Sequence, residues 1–271
     1  MNQFDVIIVG GGIVGLTAAC ALGGEGMVVA VVEAREVDAG EIYTGRNPRV
    51  FAINRASQRI LSALGVWNDI SSHDVYPFRE MQVWDAGGAG TIHFDCADIG
   101  EPYLGHMIEP RIIQAALLRR VASITPVSLF CPAQLRDINI TDMEARVDLV
   151  EGAALTAELV VAADGTRSRV RERLGIKTRD HDYRQSGLVA LVKTEHPHKA
   201  TAWQRFLPGG PLAFLPMKDG WSSIVWTLPD TEVETVLGLD KDTFHEALGQ
   251  AFDFRLGRIT DSEQRMAYPL R

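Results

Sequence analysis

Short apolar runs broken by glycines and turns alternate along the first two thirds of the chain, and longer alternating runs fill the last third. Residues 4–9 form an apolar run rich in β-branched side chains and predict a strand. Gly10-Gly11-Gly12-Ile13-Val14-Gly15 follows, then helix-favouring residues 16–22 and a second strand-like run at 28–32. Residues 38–48 are irregular and rich in Gly, Asn and Pro, and lead into Arg49-Val50-Phe51-Ala52-Ile53-Asn54. The pattern then predicts a helix over 56–64 and strands at 81–84 and 91–94 around a glycine-rich turn. A helical period returns at 111–121, with strands expected at 127–130, 135–140, 146–150 and 159–162. From about Ser186 the spacing predicts long strands at 188–194, 201–206, 211–217 and 221–228, with turns at Leu207-Pro208-Gly209-Gly210 and Lys218-Asp219-Gly220. That part reads as an antiparallel sheet, closed by a helix over 241–252 and a strand-like stretch at 263–270.

The opening strand, glycine turn and helix suit a pyrophosphate. Gly10 allows a tight turn, Gly12 lets the backbone approach the phosphates, and Gly15 lets the helix pack closely on the strand. The helix N-terminal amides then face negative charge. The second strand ends in Glu33, 18 residues past Gly15, near the spacing at which an acid accepts hydrogen bonds from a ribose 2′-hydroxyl. The fingerprint predicts dinucleotide binding and leaves NAD and FAD both open.

Composition narrows the partners. The chain has 46% hydrophobic and 23% charged residues and a formal net charge of −8, a balance that disfavours nucleic acid. Cys20, Cys96 and Cys131 are far apart and in no Cys-x-x-Cys spacing, so reduced thiols in a cytoplasmic protein are expected. No run reaches the roughly 18 apolar residues of a membrane helix. His196-Pro197-His198 lacks a third ligand at diagnostic spacing and reads as a loop, not a metal site. Asp180-His181-Asp182 reads as a solvated turn, and Arg167, Arg169, Arg171 and Arg173 as charges splayed around a helix.

Ala163-Asp164-Gly165-Thr166-Arg167-Ser168-Arg169-Val170-Arg171 resembles the Asp-Gly motif of class A flavoprotein aromatic monooxygenases, the family with the para-hydroxybenzoate hydroxylase fold. Leu64-Gly65-Val66-Trp67, Val83-Trp84-Asp85, Leu104-Gly105-His106, Phe214-Leu215-Pro216, Ile224-Val225-Trp226 and Phe252-Asp253-Phe254-Arg255-Leu256-Gly257 are similar to the ubiquinone-biosynthesis hydroxylase branch. Within it, Thr194-Glu195-His196-Pro197-His198 and the Leu-Gly-His segment most resemble the 2-octaprenylphenol hydroxylases.

The resemblance implies a mixed α/β fold: a Rossmann-like FAD-binding domain (1–75 and 100–180) with an inserted antiparallel-sheet substrate domain (76–99 and 181–271). It implies bound FAD, NADPH or NADH as reductant, and oxygen transfer to a prenylated phenol. Gly10, Gly12 and Gly15 would then hold the pyrophosphate and Glu33 the ribose. Arg49 and Arg111 would counter phosphate charge or contact the flavin side, and Asp164 would serve the cofactor and nicotinamide face. No catalytic side chain is assigned. Membrane contact is expected to be peripheral, and a homo-oligomer or other ubiquinone-biosynthesis proteins are conceivable partners. The family's Gly-Asp motif is expected beyond the strand ending near Leu270, so this 271-residue form is expected to fold for the most part, to bind FAD weakly or not at all, and to lack hydroxylase activity. A non-catalytic subunit of a biosynthetic assembly and an NAD-linked oxidoreductase are the rival readings.

Overall fold

The computed structural model describes residues 3–37 and 47–270, and most of the irregular stretch at 38–48 falls outside it. Two compact units result, one of residues 1–44, 59–73 and 110–179, the other of 45–58, 74–109 and 180–271. Residues 45–58, 74–75, 100–109 and 180 fall in the second unit, whereas the sequence pattern assigns them to the first.

The first unit is built on a six-stranded sheet of β1 (Gln3–Val9), β2 (Val29–Val32), β8 (Val127–Phe130), β9 (Leu135–Ile140), β10 (Ala145–Leu149) and β11 (Leu155–Ala162), in the order β8-β2-β1-β11-β10-β9. β1 pairs in parallel with β2 and β11, so its residues are sandwiched and it is apolar almost throughout. β11 begins four residues earlier than expected, because Leu155 and Ala157 are buried on alternate positions while Glu158 and Leu159 are exposed. The helices are α1 (Ile13–Gly24), α4 (Pro110–Ala122), α5 (Arg169–Arg173) and the short α3 (Trp67–Ser71). α4 buries Ile112, Ile113, Ala116, Leu117 and Val121. Helix α2 (Arg55–Ala63) spans the boundary between the units.

The second unit carries a large sheet of β5 (Glu80–Asp85), β6 (Thr91–Asp95) and β12 to β17: Gln185–Thr194, Thr201–Leu207, Gly210–Pro216, Trp221–Pro229, Ile259–Ser262 and Met266–Leu270. The order is β16-β12-β15-β14-β13-β5-β6, with β17 also pairing β12. The expected closing strand at 263–270 is β17, from Met266, and an unexpected strand, β16, precedes it; both are antiparallel to β12. One face packs Leu188, Ala190, Leu212, Phe214, Ile224 and Trp226 against α6 (Asp230–Leu237) and α7 (Lys241–Ala251). Phe214 and Phe252 stack at 3.8 Å between ring centroids. A second, three-stranded sheet joins β3 (Phe51–Asn54), β7 (Gly105–Ile108) and β4 (Val75–Phe78), and Phe78 and Met107 pack with Leu191 and Ala202 of the large sheet. No helix among the described residues is long and apolar enough to cross a membrane.

Two buried histidines explain themselves here. The ring of His198 accepts at Nδ1 from the Ala200 amide (3.1 Å), so its Nε2 carries the proton and donates to the Met217 carbonyl (3.0 Å). Burial lowers its pKa, and the ring serves as a neutral brace. His106 lies edge-on to Tyr103, beside Arg55, which is ion-paired with Glu101 at 2.7 Å and bonded to Gln58. Burial first, and the Arg55 charge second, push the His106 pKa down to about 4. A folded-state pKa below the unfolded value means the unfolded chain binds more protons between those values, so stability falls as pH drops from about 6.5 towards 4. Acidification from pH 7.5 to 5 is expected to cost about 2 kcal/mol through His106. His106→Asn should remove that part of the pH dependence in denaturant titrations, and an unchanged dependence would refute the assignment.

Candidate functional site

The site grows from the C-terminal end of β1. Its parallel register with β11 sets Val9 opposite Ala162, which carries Asp164 alongside the glycine turn. Gly10 has φ +115°, and a Cβ there would stand 2.3 Å from the Ala163 carbonyl oxygen. A Cβ at Gly15 would stand 1.9 Å from the Gly10 oxygen, so α1 and the turn touch backbone to backbone. Gly12 differs, because a Cβ there would meet nothing within 4 Å and would project into open space.

Gly12 is the N-cap of α1 and offers no capping side chain. The first helical bond runs from the Leu16 amide to the Gly12 carbonyl (2.9 Å), so the N–H groups of Ile13, Val14 and Gly15 precede the helical ladder. The first turn carries no acid. Such an end, with its partial positive charge, attracts an anion.

A cavity of about 810 Å³ opens at this end, lined among others by Gly10, Gly12, Glu33, Arg35, Asp164 and Arg169. The two carboxylates are positioned by backbone amides. Glu33 Oε2 accepts from Gly11 N (2.6 Å) and Oε1 from Arg35 N (2.8 Å), each oxygen keeping further acceptor capacity. Asp164 Oδ2 accepts from Arg169 N (2.7 Å) and Val170 N (3.2 Å) at the start of α5, whose N-cap Ser168 accepts from Arg171 N. Asp164 Oδ1 is buried with no hydrogen-bond partner among the described residues. A hydroxyl-bearing ligand would satisfy it. A smaller, mostly apolar cavity of about 380 Å³ shares Asp164 and Gly165 and is walled by Ile138, Val160, Val170 and Leu174.

Four of the seven residues singled out in the sequence, Gly10, Gly12, Glu33 and Asp164, line the one cavity, and Gly15 backs it. Arg111 sits half-buried in the first turn of α4 and does not line it. Arg49 belongs to the second unit, where its guanidinium lies over the rings of Tyr268 (5.5 Å) and Phe51 (5.9 Å). Sequence reasoning missed Gln114, whose amide donates to the Gly11 carbonyl (3.0 Å) across 103 residues, and also Arg35. Arg167 and Arg169, read as splayed charges, both line the cavity.

Four parallel strands, β8, β2, β1 and β11, with a glycine turn, an open helix end and two backbone-anchored carboxylates define a dinucleotide-binding protein. Residues 3–253 match the FAD binding domain family, and the chain belongs to that family. It is 36% identical over 266 residues to "Ubiquinone hydroxylase UbiL" of Rhodospirillum rubrum, covering 98% of this chain and 61% of that protein. It is 32% identical over 256 residues to the 3-demethoxyubiquinol 3-hydroxylase of Escherichia coli, covering 94% and 65%. The chain thus spans less than two thirds of the length of these relatives. Among solved structures, Pseudomonas aeruginosa PqsL superposes with a TM-score of 0.79 at 20% identity, over 99% of this chain and 74% of that one. Pseudomonas putida p-nitrophenol 4-monooxygenase gives 0.72 at 17% identity, over 99% and 68%. The fold is that of the para-hydroxybenzoate hydroxylase-like flavoprotein monooxygenases.

Proposed function

We propose that the protein is an FAD-dependent aromatic-ring hydroxylase of the ubiquinone-biosynthesis type, acting on a prenylated phenol with NADPH or NADH as reductant. The observation that carries the reading is the cavity at the glycine turn, where Gly12 leaves room for a pyrophosphate and Asp164 Oδ1 is buried without a partner. These residues fit FAD. The amides at the α1 N-terminus would hold the pyrophosphate, Glu33 the adenosine ribose, Arg35 and Arg169 would offset phosphate charge, and Asp164 would accept from a hydroxyl of the cofactor. Arg111, which does not line this cavity, and Arg49 of the second unit would serve the flavin side. FAD, when bound, supplies the redox chemistry that reduces oxygen and delivers one atom of it to the ring. The names of the relatives point to a ring bearing a polyprenyl tail. The reading includes a cytoplasmic protein that meets the membrane only peripherally.

The test has two parts. FAD titrated into the chain should lose fluorescence as it binds, and the whole protein should oxidise NADPH only when a prenylated phenol is present. Labelled dioxygen should leave one atom in the product. FAD binding without any phenol-dependent oxidation or product would refute the hydroxylase reading.

A further inference from the structure

The large sheet of the second unit has two unlike faces. The face toward α6 and α7 is filled by the core around Phe214 and Phe252. On the opposite face the ladder registers align one transverse row across six strands: Val189 opposite Val225, Val225 opposite Ala213, Ala213 opposite Gln204, Gln204 opposite Val83, and Val83 opposite Ile92. Directly paired residues share a face, so this row is one continuous band. It contains no charge, and Gln204 is its single polar member.

The band is graded. Val189 is 6% exposed, the four residues between are half-buried, and Ile92 on the edge strand β6 is 57% exposed. Phe94, two residues on and on the same face, is 50% exposed beside half-buried Met81. An edge strand that presents isoleucine and phenylalanine to water is a liability unless something apolar covers it.

We infer that the band Val225-Ala213-Gln204-Val83-Ile92 is the track of the substrate's isoprenoid tail, which leaves the protein over β6. The inference rests on the hydroxylase reading above and adds where the tail lies. The half-buried end at Val225 suits the ring, whose chemistry requires exclusion of water, and the open end at Ile92 suits a tail longer than the protein can cover. Four inter-strand steps of about 4.8 Å separate β15 from β6, roughly 19 Å in all. Each isoprene unit adds four chain bonds that advance about 1.2 Å each along an extended zigzag, roughly 5 Å in all, so about four units fill the band.

The test uses phenol and its 2-dimethylallyl, 2-geranyl, 2-farnesyl and 2-geranylgeranyl derivatives, with binding measured by calorimetry on the FAD-loaded protein. Each unit up to the fourth should lower Kd about tenfold, since burying one apolar carbon after another is additive. Ile92→Asn should weaken geranylgeranylphenol about tenfold and leave phenol unchanged. Ile60→Asn, at a similarly exposed apolar position on α2 that lines neither cavity, should change neither. Equal Kd values across the tail series, with phenol still bound, would overturn the track and leave the hydroxylase reading standing. Failure of every phenol to bind would overturn both. Loss of liposome binding in Ile92→Asn, with no dependence of Kd on tail length, would assign the patch to a membrane surface instead.

Discussion

Gly12→Val is expected to leave the fold standing and to cost at least a hundredfold in FAD affinity, whereas Gly15→Val is expected to unfold the first unit. At Gly12 the backbone is extended (φ −77°, ψ 180°), and a Cβ meets no atom of the protein within 4 Å. Stability should therefore stay within about 1 kcal/mol of the unsubstituted chain. The added side chain occupies the space in front of the helix amides, and a hundredfold loss corresponds to about 2.7 kcal/mol of withheld contact with the pyrophosphate. At Gly15 the new Cβ would stand 1.9 Å from a backbone oxygen, which no rotamer relieves. Separating α1 from the turn to admit it breaks core packing, at a cost of about 4 kcal/mol or more. Denaturant unfolding and flavin-fluorescence titration of both variants distinguish the two effects. Undiminished FAD affinity in Gly12→Val would remove the phosphate site from this turn.

Asp164→Ala is expected to lower both stability and FAD affinity, and Asp164→Asn to lower mainly the affinity. The alanine variant strips an acceptor from the Arg169 and Val170 amides, each bond to a charged acceptor being worth about 1 to 3 kcal/mol. The first turn of α5 should open, visible as faster hydrogen exchange at those two amides. Asparagine keeps one oxygen for them and replaces the other with a donor, so a cofactor hydroxyl that had donated to Oδ1 meets an N–H instead. A tenfold to hundredfold weaker FAD complex with nearly normal exchange at α5 is the expected signature. Wild-type FAD affinity in both variants would place the cofactor elsewhere.

Features encoded over short distances were legible without coordinates. The glycine turn, the helix after it and Glu33 lie within 33 residues, and local backbone demands explain each. The strand at 135–140 was read to the residue, and the hairpin strands β13 and β14 to within one residue at each end, because alternation and turn residues specify them locally. Helix α6 was missed although Pro229, Asp230 and Glu232 signal its start, since it spans only eight residues and no element was assigned between 228 and 241. The three-stranded sheet escaped for another reason: β3 and β7 are about fifty residues apart, β4 contains Pro77, and none of the three has a pattern of its own long enough to register.

By itself the sequence determined the dinucleotide turn, the acid that follows it, the Asp-Gly turn and the change to long antiparallel strands, because glycine geometry, hydrophobic period and turn chemistry act between near neighbours. Only the tertiary structure decided which of those pieces meet. Parallel pairing of β1 with β11 brought Asp164 to the glycines, α4 delivered Gln114 to the Gly11 carbonyl, and cross-strand register assembled the row from Val189 to Ile92. It also laid the Arg49 guanidinium over Tyr268, more than two hundred residues along the chain. Contacts of that span depend on sheet order and register, which the burial of whole faces selects and no local pattern records.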